Sequence, residues 1–158
     1  MTSSTKSFQL NVSFKSSESG QPICFKVDGQ RFQTSAKTLK FLSNAKYKIH
    51  LQVRPTAVEF YHMKIAGSDL ALHTPNPSSG EYTTEWNTTG LDPSKKGKRE
   101  DIAMTITGPS GTLAKVLQCK FYDKENTHSE WGHKLESVKF KCVTDGQGTI
   151  TSSEEEYQ

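Results

Sequence analysis

Residues 46–54 read Lys-Tyr-Lys-Ile-His-Leu-Gln-Val-Arg, and this stretch decides the fold class. Apolar side chains occupy every second position from Tyr47 to Val53, and charged or polar side chains fill the positions between them. A β-strand with one buried face has this period of two, whereas an amphipathic helix has a period near 3.6. Pro55 follows directly and lacks the amide hydrogen that a strand ladder needs, so we predict that the strand ends there.

Similar alternation recurs along most of the chain and is interrupted by clusters of turn-forming residues. Short strands separated by turns are typical of an all-β sandwich or barrel with mainly antiparallel pairing. Bulges are expected in residues 58–65, where the apolar phase slips, and near Val116-Leu117. Asp28-Gly29 predicts a tight hairpin turn. The predicted strands are residues 8–14, 23–27, 46–54, 58–65, 69–73, 81–86, 101–107, 112–122 and 138–142.

A chain of 158 residues fits one domain. Because the periodicity covers residues 8–143, we predict a single β-sandwich domain there. Residues 1–7 are polar and predict a flexible N-terminus. Residues 144–158 lose the periodicity and carry three consecutive glutamates, which predicts a flexible acidic tail.

The net charge, the length of apolar runs and the cysteine pattern limit the classes of protein to which this chain can belong. The net charge of +3 is scattered, whereas nucleic-acid-binding proteins concentrate their basic residues, so we expect no nucleic-acid partner. No apolar run approaches the ~18 residues of a membrane span. Residues 1–7 lack the apolar stretch of a secretory signal, and three cysteines without a CxxC pair favour free thiols. We therefore expect a soluble cytoplasmic protein.

The sequence contains no convincing catalytic or metal motif. His128, Glu130 and His133 could suggest zinc, but His-Ser-Glu-Trp-Gly-His lacks the HExxH spacing that places two imidazoles on one helix face. Cys119 and Cys142 lie on alternating strands, where core packing is the better interpretation. P-loop, GxSxG and GxGxxG motifs are missing as well. We expect no catalytic residue, no metal and no cofactor, and a binding protein rather than an enzyme.

Two features could serve binding instead. A basic run in a long polar loop is more often a solvated surface, but it could make weak contacts with phosphate or with anionic lipid head groups. Trp86 and Trp131 are either core residues or part of an apolar slot between two sheets that admits an acyl or prenyl chain. The basic residues are Lys95, Lys96, Lys98 and Arg99.

Collinear segments over residues 8–143 resemble the cannabinoid receptor-interacting protein family. The matching segments are Phe25-Lys26-Val27-Asp28-Gly29-Gln30-Arg31-Phe32, residues 38–47, Thr88-Thr89-Gly90-Leu91-Asp92-Pro93, residues 116–122 and Glu130-Trp131-Gly132. The resemblance implies a non-enzymatic cytoplasmic protein that binds the C-terminal tail of the type-1 cannabinoid receptor and regulates its G-protein signalling. It also implies an antiparallel immunoglobulin-like β-sandwich, similar to Rho GDP-dissociation inhibitor, which can take a lipid group between its sheets. Residues 151–158 depart from the family pattern.

Two binding modes follow. An exposed strand edge could pair with an extended receptor peptide, or an inter-sheet slot could hold the lipid group of a G-protein subunit or another lipidated protein. In the second case the alternative function is a carrier or chaperone of lipidated signalling proteins, with peripheral association at the inner face of the plasma membrane. Chosen by face and aromatic content, the predicted slot residues are Tyr47, Ile49, Leu51, Trp86, Met104, Phe121 and Trp131, with Lys95, Lys96, Lys98 and Arg99 as a basic rim.

Overall fold

The computed structural model describes residues 5–28 and 36–158, and their regular structure is almost entirely β-strand, as predicted. Two short 3-10 turns, Pro77–Ser79 and Thr127–Glu130, are the helical elements of these residues, and neither is long enough to cross a membrane. The strands are β1 (Ser7–Ser16), β2 (Cys24–Val27), β3 (Lys37–Leu42), β4 (Lys46–Arg54), β5 (His62–Ile65), β6 (Ser68–Ala71), β7 (Glu81–Asn87), β8 (Glu100–Gly108), β9 (Gly111–Tyr122), β10 (His133–Lys134), β11 (Val138–Thr144) and β12 (Gly148–Tyr157).

The strands form two facing layers that are joined through β9. One layer has the order β12-β11-β1-β4-β7, and the other runs β6-β5-β8-β9-β3-β2-β10. Most neighbours are antiparallel, as expected of the sandwich, but β9 pairs in parallel with β3 and with the first residues of β12. An isolated bridge between His73 and Thr83 ties the opposite margins of the layers together. The two layers therefore form a nearly closed structure around one interior.

Side chains from the alternating strands fill this interior. The inward side chains of β4 all lie in it, as the pattern of residues 46–54 predicts. Phe41 of β3 is the centre of an aromatic cluster that spans both layers. Rings in contact at such distances leave no room between them for an additional chain. The Phe41 centroid lies 5.1 Å from Trp86, 5.2 Å from Tyr47, 5.3 Å from Phe14 and 5.9 Å from Phe121.

The predicted acidic tail differs most from the structure. Gly148–Tyr157 forms β12, which pairs with β11 along its length and with β9 at its start. Ile150 is the one buried residue of β12, and between it and the half-buried Tyr157 the strand is polar on both faces, so no apolar alternation marks it. Main-chain hydrogen bonds hold it instead. The predicted domain limits at residues 8 and 143 stay a prediction.

Smaller differences concern strand boundaries. Of residues 58–65, His62–Ile65 alone are a strand, although Val58 and Phe60 are buried. The pairing of β8 with β9 runs without a register shift, so the bulge predicted near Val116-Leu117 is wrong. A register shift occurs instead between β11 and β12, where Ser153 is the extra residue opposite Lys141 and Cys142. The hairpin turn predicted at Asp28-Gly29 extends outside the described residues.

Candidate binding cleft

The seven residues predicted to line an inter-sheet slot fall into two groups. Six lie in the packed interior, and none of these is more than 4% exposed. Trp131 lies outside the layers with 58% of its surface exposed, so the structure does not bring it together with the others. The space between the layers is occupied by the protein's own side chains wherever the structure describes them. The six interior residues are Tyr47, Ile49, Leu51, Trp86, Met104 and Phe121.

The predicted basic rim is divided in the same way. Lys95, Lys96 and Lys98 are exposed in the loop that precedes β8. The Arg99 side chain is 7% exposed, and its Nη2 lies 3.1 Å from Oδ1 of Asp28, whose side chain is fully buried. Arg99 is therefore one half of a buried ion pair and does not face a ligand at a rim.

The Asp28–Arg99 pair belongs to a buried polar cluster between β2, β3 and β9. Thr38 donates its hydroxyl hydrogen bond to Asp28, and Nε of Arg99 donates to Thr38 Oγ1 at 3.0 Å. Nε2 of Gln118 donates to the same oxygen at 2.9 Å. Burial alone would raise the pKa of Asp28, but the hydrogen bonds from Thr38 and Arg99 and the Arg99 charge hold it below its ordinary value. The cluster fixes the end of the basic loop to the sheet.

A cleft of about 440 Å³ opens where the β1–β2 turn, the end of β3 and the segment 127–134 meet. Cys24 and Lys40 alternate with the inward residues Phe25 and Leu39, so they point to the outer face of the second layer. The cleft lining is partly apolar and partly polar, with both signs of charge. It includes Pro22, Ile23, Leu42, Tyr47, Ser16, Ser129, Lys40, Glu130 and Lys134.

Lys40 is the buried cation of this cleft, with 7% of its surface exposed. Its Nζ donates to the carbonyl oxygen of His128 at 2.9 Å and to that of Trp131 at 2.6 Å. The same ammonium lies 5.5 Å from the ring centroid of Tyr122, within cation–π range. Burial lowers the pKa of Lys40, and repulsion from the neighbouring cations adds to the effect. Lys40 therefore fastens the segment 127–131 to β3.

Two further polar groups line the cleft. The Tyr47 hydroxyl oxygen accepts a 2.6 Å hydrogen bond from the Leu42 amide, and burial raises the pKa of Tyr47. The Cys24 thiol donates to the Glu130 carbonyl at 3.5 Å, and burial raises its pKa too. Both groups consequently keep their protons at neutral pH. Neither carries a charge that could neutralise Lys40.

Trp131 lies on the segment that covers Lys40. Its ring packs against the imidazole of His128, with 4.0 Å between the centroids. The backbone of the same segment is held by the bonds to Lys40, so an exposed aromatic pair is carried on a fixed support. Exposed aromatic side chains next to a concave surface are typical of protein-binding sites.

The histidines and cysteines considered as metal-binding or catalytic residues pack against other side chains. His133 packs against the Phe25 ring at 5.4 Å, whereas His128 packs on Trp131. Among the described residues, no group of three or more His, Cys, Asp or Glu side chains could hold a metal. Cys119 and Cys142 are buried, as the core interpretation predicts, and burial raises the pKa of Cys142 to about 11.

Sequence reasoning missed Lys40 as a site residue. A lysine between Leu39 and Phe41 has the alternation of a half-buried strand and predicts a solvated amine. The structure covers the outer face of β3 with a distant segment, which periodicity cannot reveal. One signal was available in the resemblance, since residues 38–47 and Glu130-Trp131-Gly132 are both matching segments.

Comparison with known proteins gives one family. The family model for CB1 cannabinoid receptor-interacting protein 1 matches residues 4–157. Proteins of that name from Rattus norvegicus and Mus musculus are each 30% identical over 140 residues, which is 85% of this chain and 85% of each relative. The Homo sapiens protein is 29% identical over the same length.

Proposed function

Because this chain belongs to the CB1 cannabinoid receptor-interacting protein 1 family, we propose that it binds the C-terminal tail of a cannabinoid-type receptor and has no enzymatic activity. The names of its relatives support a receptor-interacting role in general. The single observation that carries the finer proposal is the cleft beside the exposed Trp131. This cleft combines apolar walls, a buried cation and an adjacent aromatic anchor, which suits a short peptide segment.

A strand edge next to the cleft supports the extended conformation of that peptide. β10 pairs with Phe25 and Cys24 of β2, and the pairing stops there. On this side, Lys26 and Val27 have no strand neighbour in the described part of the chain, and Val27 is 52% exposed. Cys24 of the same strand lines the cleft, so a peptide that pairs with Lys26 and Val27 would lie close to the cleft.

The alternative function, a carrier of lipidated signalling proteins, requires space between the layers. The described side chains fill that space, so a lipid chain would have to displace aromatic residues such as Trp86 and Phe121. The observed packing therefore favours a peptide on the outer surface. A receptor tail is cytoplasmic, and we accordingly place the protein in the cytoplasm at the inner face of the plasma membrane, where its partners include the receptor and its G-protein subunits.

Calorimetry with a synthetic peptide of the C-terminal residues of the rat CB1 receptor tests this proposal. We expect binding to the full chain and a loss of at least about tenfold in affinity for Trp131→Ala, because an aromatic hot-spot residue contributes about 2 kcal/mol or more. Tyr61→Ala is the matched control: Tyr61 is 59% exposed, much like Trp131, but no residue of its segment lines the cleft, whereas Ser129 and Glu130 next to Trp131 do.

Three outcomes would contradict the proposal. The unmodified peptide shows no binding at concentrations up to the millimolar range, or the two variants lose affinity equally. In the third, a lipidated form of the peptide binds while its unlipidated twin does not, which would support the carrier function instead.

A further inference from the structure

Lys40 is a buried cation without an ion-pair partner among the described residues. None of the ion pairs found in residues 5–28 and 36–158 includes Lys40, although its side chain is almost fully buried. Its hydrogen-bond partners are two neutral carbonyl oxygens. Burying an ammonium group is costly unless an anion and hydrogen bonds replace its water. The Lys40 ammonium thus has hydrogen-bond partners that replace part of its water, but no paired anion in the described part of the chain that balances its charge.

The neighbours of Lys40 do not supply the missing anion. Lys26, Arg99 and Lys120 have the same sign of charge and oppose its ionisation. The Cys24 thiol keeps its proton because burial raises its pKa. Glu130 lines the cleft and is exposed, and its negative charge acts on the Cys24 thiol. No ion pair among the described residues joins Glu130 to Lys40, and its main-chain carbonyl accepts from Cys24. Tyr122 offers its ring face, which attracts a cation but does not neutralise it.

The cleft leaves donors available beside this charge. An ammonium group has three N–H donors, and two of those on Lys40 are used. The Tyr47 oxygen accepts from Leu42, and no acceptor for its own proton is found within the described residues. Pro22, Ile23 and Leu42 are apolar walls of the same cleft. A cation, a hydroxyl donor and an apolar wall together match a carboxylate on a short apolar residue.

We propose that the cleft binds the C-terminal carboxylate of a peptide, with the Lys40 ammonium as counter-charge and the Tyr47 hydroxyl as second donor. This inference rests on the proposed function for the identity of the peptide. A chain terminus fits better than a fatty acid, because Ser16, Gln21 and Ser129 line the cleft and would leave a long alkyl chain poorly matched. Lys26 and Val27 of β2, which have no strand partner on this side among the described residues, would pair with residues that precede the terminus.

The test compares two forms of one receptor-tail peptide on the unaltered full chain: the free acid and the C-terminal amide. The carboxylate should bind at least about tenfold more tightly, because charge-assisted hydrogen bonds are roughly twice as strong as neutral ones. Lys40→Met should reduce the affinity for the acid to that for the amide, and Lys40→Arg should restore part of the difference.

Lys120→Met is the matched control. Lys120 pairs with Lys40 in the β3–β9 register and lies 5.4 Å from the same Tyr122 ring, but it does not line the cleft. This variant should keep the acid-to-amide ratio. Equal affinities of the two peptide forms for the unaltered protein would overturn the proposal without any variant having to fold. Equal losses in Lys40→Met and Lys120→Met would overturn it as well.

A second arm separates this inference from the receptor proposal. N-acetyl-alanyl-leucine, its amide and decanoate are titrated into the labelled protein and followed by NMR shifts of the Lys40 and Tyr47 amides. If the dipeptide acid shifts them and neither receptor peptide binds, the carboxylate site stands and the receptor proposal fails. If both receptor peptides bind equally, the receptor proposal stands and the carboxylate site fails. A response to decanoate alone would also overturn the peptide assignment.

Discussion

Arg99 and Lys40 are two buried cations on the same face of the second layer, yet their environments differ in one respect. Arg99 contacts a fully buried carboxylate, Asp28, and shares hydrogen bonds with Thr38. Lys40, two residues from Thr38, has carbonyl oxygens and an aromatic ring around it. The charge of Arg99 is neutralised by Asp28, whereas that of Lys40 has no ion-pair partner in the part of the chain that the structure describes. A buried ion pair with both partners present stabilises the fold. A buried cation without an anion leaves a position at which a ligand carboxylate can supply the counter-charge.

The largest expected effect on the free energy of unfolding comes from breaking the Asp28–Arg99 ion pair. Arg99→Met leaves Asp28 as an unpaired buried carboxylate, so we expect a loss of about 3–5 kcal/mol in the free energy of unfolding. Urea denaturation measures it, with the exposed neighbour Lys98→Met as control, for which we expect a change within about 0.5 kcal/mol. The double variant Asp28→Asn with Arg99→Met should recover part of the loss. A cost for Arg99→Met no greater than that for Lys98→Met would remove the distinction between the two cations.

Acid should weaken the same pair by a smaller amount. The pKa of Asp28 is lower in the folded protein than its ordinary 3.8, so the unfolded chain binds the proton first as the pH falls. Its contribution to stability is complete above about pH 4 and is lost as the pH falls through the folded-state pKa. The difference in unfolding free energy between the unaltered protein and Asp28→Asn should therefore shrink with acidification. The exposed Asp123→Asn should show no such trend, and a pH-independent difference for Asp28→Asn would contradict this assignment.

The smallest effect on the free energy of unfolding is expected for the substitution of Lys40. Lys40→Met removes a buried charge without leaving an opposite charge behind, so the lost carbonyl hydrogen bonds are offset by relief of the charge burial. We expect the free energy of unfolding to change by no more than about 1 kcal/mol, measured by the same urea transitions. A loss as large as that of Arg99→Met would show that Lys40 is needed for folding and would weaken its interpretation as a ligand-binding group.

The sequence predicts those strands that bury one face and expose the other. β1 and β4 are of this type, and their inward residues are correct. β3 is buried on both faces, and β12 is polar on both between Ile150 and Tyr157, so neither has the alternation that periodicity detects. Of the four aromatic residues predicted for a slot, Trp131 is exposed, whereas Tyr47, Trp86 and Phe121 lie in the interior. That they fill the interior completely follows from how the two layers pack, which no single strand can reveal.

The binding site depends on contacts that are remote in sequence. Lys40 and the carbonyl of Trp131 are separated by 91 positions, and the Asp28–Arg99 pair by 71. Neither contact produces a local pattern of residue types. The sequence around a lysine therefore does not show whether the lysine is buried or solvated. The burial of Arg99, a residue of the predicted basic rim, could not be inferred for the same reason.

The two tryptophans of this chain report on different parts of it. Trp86 is fully buried among aromatic rings and Trp131 is largely in water, so their fluorescence should be emitted at shorter and longer wavelengths respectively. A ligand that covers the cleft would shift the long-wavelength component alone, and unfolding would red-shift the other. Occupancy and integrity of the fold are thereby separable in a single spectrum, without any added dye.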